Sequence, residues 1–286
     1  MSLSLSIAQA QAQLQTLGLD RLDAQLLLLH VLAQPLHQRG WLLAHDADVL
    51  TQDQASALQA LAQRRLHGEP LAYLTGTKAF FGLDLQVDAR VLVPRPDTET
   101  LVNWALALFQ GAAAVLDLGT GSGAIALALK ASRPHWQLYA VDASAEALVV
   151  AQANATRLQL EVVFGQGSWF AGLATSPGRF DAIVSNPPYI AAGDPHLPAL
   201  RHEPLQALVS GPDGLVDLRH IIAQAPRHLV PGGWLLLEHG FDQAPAVRDL
   251  LAATGFTQVQ SHCDLAGIER CSGGQWPAPA NAPALA

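Results

Sequence analysis

The chain of 286 residues is long enough for one large domain, or for one medium and one small domain. Half of its residues are hydrophobic and 14% are charged, so a sizeable core is expected and general disorder is not. The 16 basic residues against 24 acidic ones give a formal charge of -8, which argues against a surface that binds duplex nucleic acid. No apolar run reaches the roughly 20 residues of a membrane span, and no charged segment precedes Arg21 as in a secretory signal. We therefore expect a soluble cytoplasmic protein that does not bind membranes.

Cysteine and histidine indicate no metal site. Cys263 and Cys271 are the only cysteines, and the eleven histidines are scattered without an H-E-x-x-H pair. The C-x-x-C spacing that is typical of zinc sites is also absent from the sequence. We expect two reduced thiols and no metal cofactor.

Residues 1–75 predict helices only. Leucines recur near a 3.6-residue period, and Gly18 and Pro35 interrupt the pattern. One helix is expected to begin after Thr51, a suitable N-cap, and to end before Gly68, a suitable residue to follow a helix. The segment predicts a bundle of four or five short helices, which contains no residue type that indicates catalysis. Its role is therefore expected to be structural or partner-binding.

Residues 76–93 change character, and we place a domain boundary in this linker. Apolar and polar residues alternate from Gly82 to Val87, and a second apolar segment, residues 91–93, follows a short break. This pattern predicts a two-stranded hairpin that connects two domains.

Residues 94–276 alternate between strand and helix patterns. Such alternation predicts βαβ units and a mostly parallel sheet that is covered by helices on both faces. The expected strands span residues 114–118, 137–141, 161–165, 180–185 and 234–238, with helices at 124–131 and 145–157 among those between them. Two further strands, at about 256–263 and 269–272, are expected to add antiparallel edges. The Pro- and Ala-rich residues 277–286 predict a disordered tail.

A glycine-rich turn follows the first of these strands. Gly119, Gly121 and Ala124 fit the loose G-x-G-x-x-G/A pattern of adenosine-containing cofactors, and Asp142 lies near the position of an acidic residue that binds ribose hydroxyls. Asp117 at the strand end would repel a pyrophosphate and would suit the cationic S-adenosylmethionine. The alternative for Asp117 is that it only caps the turn.

The segment Asn186-Pro187-Pro188-Tyr189 follows an apolar strand, at the end where open α/β sheets bind their ligands. Two prolines stiffen this loop, so the side-chain oxygen of Asn186 and the carbonyl of Pro187 present acceptors that match a substrate NH₂ group. Tyr189 supplies a flat wall for a planar amide or base. The alternative is an ordinary β-turn.

Together these motifs resemble class I S-adenosylmethionine-dependent methyltransferases that act on an NH₂ nitrogen, and more narrowly the bacterial release-factor glutamine methyltransferase family. The resemblance covers residues 5–272 and includes the segments 70–76, 80–82, 93–102, 167–170, 203–204 and 211–215. It implies a Rossmann-like class I methyltransferase domain that is preceded by a small all-helical domain and a β-hairpin connector. Residues 267–272 depart from the family pattern. This departure affects the expectation for the last strand and not the expectation for the site.

The resemblance also implies residue roles. Cofactor binding is implied for Gly119, Thr120, Gly121, Ser122, Gly123, Asp142, Trp169 and Asn186. Substrate binding is implied for Asn186, Pro187, Pro188 and Tyr189, of which Asn186, Pro187 and Tyr189 would carry catalysis. Asp142 would bind the ribose and Trp169 would lie against the adenine, although without the resemblance Trp169 is better interpreted as a core aromatic.

The implied reaction moves a methyl group from S-adenosylmethionine to the glutamine amide nitrogen of the Gly-Gly-Gln motif in peptide chain release factors. It leaves S-adenosylhomocysteine and needs no metal. Residues 1–75 would dock the protein substrate, and we expect a monomer that does not contact nucleic acid. The alternative is a nucleic-acid adenine or guanine amino-methyltransferase, since the same loop can hold the NH₂ group of a flipped base. The sequence of residues 273–275, Gly-Gly-Gln, is interpreted as a coincidence.

Overall fold

The computed structural model describes residues 5–173 and 178–278. The chain divides into two compact units, Met1–Thr77 and Lys78–Ala286. The predicted disordered tail lies outside the described residues except for Pro277 and Ala278. Within the described part of the chain, no helix is both long and apolar enough to cross a membrane.

The first unit is helical, as the leucine pattern predicted. Its described residues form α1 (Ile7–Thr16), α2 (Arg21–Val31), α3 (Arg39–Ala44), α4 (Gln52–Leu66) and α5 (Leu71–Thr75). Ser6 and Thr51 precede α1 and α4 in capping boxes, which satisfy backbone N–H groups that a helix start leaves unpaired. The predicted N-cap at Thr51 is confirmed, and Gly68 adopts a positive φ of 91° after α4. Leucines of α2 form the centre of the buried core.

The predicted hairpin is present, but its strands differ from the expected ones. They are β1 (Thr77–Phe80) and β2 (Leu83–Gln86), joined by a two-residue turn with positive φ at Phe81 and Gly82. Two-residue hairpin turns need positive φ, which glycine supplies, so this turn decides the pairing. Residues 91–93, which were expected to form a strand, lie in none. Val91 and Val93 are buried instead, and their apolar character reflects packing.

The second unit contains a seven-stranded sheet. Its strands are β3 (Ala114–Leu118), β4 (Gln137–Asp142), β5 (Val163–Gln166), β6 (Phe180–Ser185), β7 (Leu229–Glu238), β8 (Thr257–Cys263) and β9 (Glu269–Gln275). The order is β5-β4-β3-β6-β7-β9-β8, in which the first five strands are parallel and the last two add antiparallel pairs. The flanking helices are α6 (Glu99–Leu108), α7 (Ala124–Ser132), α8 (Ala145–Leu158), α9 (Val216–Gln224) and α10 (Ala244–Thr254). The predicted fold class is confirmed.

Strand β7 begins five residues before its predicted start at residue 234, because a Pro-Gly-Gly sequence does not interrupt it. Phe180 of β6 pairs with Leu229, whereas Ala182 already pairs with Trp234. The register shift between these pairs absorbs the extra residues of β7 as an irregularity. Sequence patterns that treat Pro and Gly as strand ends miss such a continuation.

The Gly-Gly-Gln sequence of residues 273–275 lies inside the sheet, where β9 pairs with both β7 and β8. A Cβ atom at Gly273 would lie 2.5 Å from the carbonyl oxygen of Leu235 and 2.8 Å from the Trp104 ring. The side-chain Nε2 of Gln275 donates to the carbonyl of Gly232 at 2.9 Å. Close packing therefore explains the glycine at position 273, and the tripeptide belongs to the scaffold.

Candidate functional site

The strand order reverses between β3 and β6, which opens a crevice at the carboxyl ends of the parallel strands. Leu118 at the end of β3 pairs with Val141 on one side and with Ser185 on the other, and Ser185 in turn pairs with Leu237. The residues that follow these four, in sheet order, are Asp142, Gly119, Asn186 and Glu238. The parallel register thus places them side by side in one row at the crevice.

A cavity of about 270 Å³ opens at this row. Six of the predicted site residues line it, namely Gly119, Gly121, Asp142, Trp169, Asn186 and Pro188. The other five predicted residues are not part of its described lining, namely Thr120, Ser122, Gly123, Pro187 and Tyr189. The structure therefore brings both sequence motifs to one cavity, although some of their residues shape the loops rather than face it.

The glycine loop has an open surface. Gly119 and Gly121 adopt φ values of 70° and 56°, in the left-handed region that strains most other residues. A Cβ atom at Gly121 would meet nothing within 4 Å, and one at Gly119 would lie 3.4 Å from the Trp169 ring. A ligand can therefore reach the main chain of this loop, and a side chain there would occupy its space.

Asp142 connects the loop to the neighbouring strand. Its Oδ2 accepts from the backbone N–H of Gly121 at 2.8 Å, and its Oδ1 accepts from that of Ser144 at 2.9 Å. Each carboxylate oxygen has a second acceptor position. The side chain can therefore hold the loop in shape and still accept hydroxyl groups of a ligand in the cavity.

Three residues of the glycine loop lie under its surface. Thr120 and Ser122 are buried, and the Ser122 carbonyl accepts from Asn154 Nδ2 at 3.0 Å. Gly123 begins α7 with φ 84°, and a Cβ atom there would lie 3.0 Å from Leu127. These residues fix the path of the chain, and their side chains are not placed to bind a ligand.

Asp117 requires a correction, because its side chain does not face the cavity. It is fully buried, and its Oδ2 accepts from the Thr120 hydroxyl at 2.6 Å and from the Ala126 N–H at 3.2 Å. Oδ1 has no hydrogen-bond partner among the described residues. Burial raises the pKa of Asp117 to about 7, with the charge of Asp142 acting in the same direction. The alternative interpretation, in which Asp117 caps the turn, agrees with the observed position.

Trp169 lies both at the cavity and against the core, the two positions that the sequence left open. Its ring lines the cavity beside Gly119 and also packs against the hydrophobic core of the sheet. Its φ of 52° is unusual for a bulky residue and costs about 1–3 kcal/mol, so the surrounding packing must hold it in place. Strained residues cluster at ligand sites, which is consistent with a flat wall kept rigid at the cavity.

Asn186 is held by a residue that the sequence analysis did not select. Its Nδ2 donates to Oγ1 of Thr98 at 3.3 Å, which leaves Oδ1 as the acceptor for a ligand. Thr98 lies in the segment 93–102 that carried part of the family resemblance, and this was the available signal. The same segment is also bound by the buried carboxylate of Glu203, which forms a salt bridge with Arg95 and accepts a hydrogen bond from the Val93 N–H.

Tyr189 does not stand free as a wall of the cavity. Its ring packs partly against the core, and its hydroxyl donates to Oε1 of Glu238 at 3.5 Å. Burial raises the pKa of Tyr189, and the Glu238 charge adds to the shift. Its carbonyl accepts from Gln243 Nε2 at 3.1 Å. The sequence analysis also did not select Glu238. The one sequence feature that could have indicated it is an acidic residue at the end of the apolar segment 234–238.

Comparison with known proteins covers both units. Residues 98–203 match the methyltransferase small domain, and residues 6–76 match the PrmC N-terminal domain. A protein from Bordetella pertussis named release factor glutamine methyltransferase is 50% identical over 261 residues, which cover 90% of this chain and 95% of that protein. The chain belongs to the release factor glutamine methyltransferase family. A protein of the same name from Pseudomonas aeruginosa is 50% identical over 260 residues, covering 90% of this chain and 92% of its own.

Among solved structures, a methyltransferase from Pyrococcus furiosus has a TM-score of 0.53 at 24% identity, with 76% of this chain and 98% of that chain covered. This likeness concerns the fold alone. The family resemblance read from the motifs is confirmed, and the class I methyltransferase fold implies the use of S-adenosylmethionine. Within residues 5–173 and 178–278, no group of three His, Cys, Asp or Glu side chains could hold a metal ion.

The first prediction concerns the buried carboxyl of Asp117. Asp117→Asn keeps one oxygen, which suffices because Oδ2 alone accepts both hydrogen bonds. With the pKa of Asp117 raised from 3.8 to about 7, the folded protein holds a proton that the unfolded chain releases, so this group's contribution to stability falls between pH 4 and pH 7. The free energy of unfolding of the variant, relative to that of the wild type, should therefore rise by about 3 kcal/mol from pH 5 to pH 8.

Urea unfolding at the two pH values measures this difference. Asp117→Ala is the control, because it leaves Thr120 and Ala126 without their acceptor and should destabilise at both pH values. A stability difference between Asn variant and wild type that does not change with pH would contradict a buried carboxyl that titrates.

Proposed function

We propose that this protein transfers a methyl group from S-adenosylmethionine to the side-chain amide nitrogen of the glutamine in the Gly-Gly-Gln motif of peptide chain release factors. The observation that carries the proposal is Asn186, whose Nδ2 is engaged by Thr98 while the residue lines the cavity beside the glycine loop. Its Oδ1 is then an acceptor for a substrate NH₂ group. Membership of the family supports glutamine as the group that carries this NH₂.

The cavity fits the proposed cofactor. The open main chain at Gly121 accommodates its methionine part, Asp142 has acceptor positions left for ribose hydroxyls, and Trp169 offers a flat apolar face to the adenine. Thr120, Ser122 and Gly123 hold the loop from beneath. The proposed transfer needs no metal ion, because neither the sulfonium donor nor the amide acceptor requires a Lewis acid.

The protein's contribution to the chemistry is orientation and hydrogen bonding. S-adenosylmethionine supplies an electrophilic methyl group when bound. The glutamine nitrogen is a poor nucleophile, because its lone pair is delocalised into the amide carbonyl. Asn186 Oδ1 and the Pro187 carbonyl accept its two N–H groups, which aims the lone pair at the donor and stabilises the positive charge that develops on nitrogen. Transfer would break the bond between the methyl group and the sulfur, which would leave S-adenosylhomocysteine. The nitrogen would then release one proton to water, which would leave a neutral N-methyl amide.

The stiff loop keeps these acceptors in place. Pro187 and Pro188 restrict the main chain, and Pro188 lines the cavity. Tyr189 is fixed in position on the core side of the loop. Its hydroxyl donates to Glu238, and its carbonyl accepts from Gln243. We propose that the edge of its ring limits the substrate amide to one plane.

The same loop chemistry would suit the exocyclic NH₂ group of a flipped base. The net charge of -8 opposes an interaction with a phosphate backbone, and the named relatives favour glutamine over a base. We therefore propose a monomeric enzyme that acts on a protein in the cytoplasm and does not contact nucleic acid directly.

Asn186→Ala tests the proposed chemistry. The variant loses one preorganised acceptor, so turnover on a purified release factor should fall by about 10²–10³-fold, while affinity for S-adenosylhomocysteine changes little. Mass spectrometry should locate a gain of about 14 Da, the mass of one methylene, on the Gly-Gly-Gln glutamine. This mass change is that of replacing N–H by N–CH₃.

Two comparisons sharpen this test. A release factor with that Gln changed to Asn holds its amide one methylene short of the donor and should be a poor substrate. Tyr189→Phe keeps the ring and should have a mild effect, whereas Tyr189→Ala removes the ring and should be severe. Methylation of another residue, or unchanged turnover in Asn186→Ala, would refute the assignment.

Asp142 provides a separate test of cofactor binding. Asp142→Ala should weaken binding of S-adenosylhomocysteine by about 1–3 kcal/mol in calorimetry, since ligand hydroxyls lose their partner. Asp142→Asn retains one acceptor oxygen and should lose less, although it cannot accept from both Gly121 and Ser144. Equal affinity in the wild type and both variants would remove Asp142 from the cofactor site.

We propose that the first unit, which matches the PrmC N-terminal domain, docks the release factor. A chain that begins at Thr77 should bind S-adenosylhomocysteine like the full-length protein but should lose about 10-fold or more in kcat/KM on a whole release factor. A short Gly-Gly-Gln peptide serves as the control substrate, because it has no surface to dock. If the shortened enzyme methylates the whole factor at the full rate, the unit only stabilises the protein.

A further inference from the structure

Glu238 is a buried carboxyl that the proposed methyl transfer leaves without a task. It ends β7, and the pairing of Leu237 with Ser185 places it next to Asn186. Its exposed fraction is 1%, and its Oε2 has no hydrogen-bond partner among the described residues. An isolated buried carboxylate is costly, so its presence at this position calls for an explanation.

Among the described residues, the titratable groups that interact with the Glu238 carboxyl include one cation. Those that face it are Asp97, Tyr189, Arg270 and Cys271. Arg270, the one cation in this set, already pairs with Asp264 at 3.0 Å and lies 3.5 Å from Asp97. The carboxyl is therefore left to interact mainly with hydroxyl groups.

Two hydroxyl groups interact with the Glu238 carboxyl. The Tyr189 hydroxyl lies 3.5 Å from its Oε1, and the Thr98 hydroxyl lies close enough to the carboxyl to lower its pKa. The same Thr98 oxygen accepts from Nδ2 of Asn186 at 3.3 Å. Thr98 is thus the link between the buried carboxyl and the amide that holds the substrate.

We propose that Glu238 and Thr98 are positioning residues that decide which end of the Asn186 amide faces the substrate. The inference rests on the proposed function, because it assumes an NH₂ group as the substrate. An ionised carboxylate only accepts, so the single proton of Thr98 goes to Glu238, and the Thr98 oxygen is left to accept from Asn186 Nδ2. Oδ1 of Asn186 then faces the cavity. The reverse orientation would set two NH₂ groups against each other and would leave the Pro187 carbonyl as the one acceptor for the substrate.

This arrangement depends on the charge of Glu238. Burial raises the pKa of Glu238 to about 7, and Asp97 acts in the same direction, while Thr98, Arg270 and Tyr189 act against it. A protonated Glu238 can donate to Thr98, which frees the hydroxyl proton for the oxygen of Asn186. The orientation in which Asn186 Oδ1 faces the cavity is therefore favoured as the pH rises through about 7. Below that pH, a protonated Glu238 can donate to Thr98, and Thr98 can then donate to Asn186.

Kinetics of three Thr98 variants provide the first test. Thr98→Val removes the link and should lower kcat on the release factor roughly 10-fold, the effect of one neutral hydrogen bond, with KM for S-adenosylmethionine unchanged. Thr98→Ser keeps the hydroxyl and should restore kcat. If Thr98 acts through Asn186, adding Thr98→Val to Asn186→Ala should cause no further loss. Additive losses in the double variant, or full kcat in Thr98→Val, would overturn the proposal.

Nuclear magnetic resonance of the full chain gives a readout that needs no activity. The side-chain NH₂ signals of Asn186, identified by their absence in Asn186→Ala, should shift with pH around 7 in the wild type and in Thr98→Ser. They should not shift in Glu238→Gln, which cannot ionise, so the test stands even if Thr98→Val does not fold. Signals that are constant from pH 5.5 to 8.5 in the wild type would refute the inference. If these signals titrate but no release factor is methylated, the proposed function fails and the positioning role of Glu238 stands.

Discussion

The register of the parallel strands is the constraint on which the site depends. Because β4, β3, β6 and β7 pair in one row, the residues that follow Val141, Leu118, Ser185 and Leu237 meet at the crevice. A shift of one residue in any of these strands would turn the side chains at its end to the opposite face. The site therefore depends on the buried core of the sheet, whose packing sets that register.

Two buried carboxyls lie at this row: Glu238 belongs to it, and Asp117 lies two residues before Gly119. Burial raises the pKa of both Asp117 and Glu238 to about 7. Asp117 accepts a hydrogen bond from Thr120 of the glycine loop, whereas Glu238 accepts one from Tyr189 of the Asn-Pro-Pro-Tyr loop. Each has one oxygen without a hydrogen-bond partner among the described residues. Both loops of the site thus rest on buried acidic groups, and burial raises the pKa of each.

The two loops obtain rigidity in different ways. The glycine loop needs positive φ at Gly119 and Gly121, and its shape is held by Asp142 and by α7 beneath it. The Asn-Pro-Pro-Tyr loop contains two prolines, whose rings fix their φ angles without outside support. One loop is therefore open enough for a ligand to contact its main chain, while the other presents fixed acceptors.

Much of the architecture follows from the sequence alone, because it depends on properties of single residues and of short segments. Helix caps such as Thr51, the apolar strands, the glycine turn and the Asn-Pro-Pro-Tyr loop are local features with local causes. Local patterns also misled in places. They predicted that β7 begins only after Pro-Gly-Gly, and they predicted a strand at the buried valines near residue 91. Both predictions were wrong because strand pairing and burial depend on partners far along the chain.

The direction of each side chain at the site was decided only by the tertiary structure. Thr98 and Asn186 are 88 residues apart in sequence, and Tyr189 and Glu238 are 49 apart, so no local pattern could pair them. The same holds for Asp117, whose residue type suited a cationic ligand but whose burial beneath the loop turned it to Thr120. Residue type determines which chemistry is available, whereas hydrogen-bond partners brought together by folding determine which atom faces the ligand.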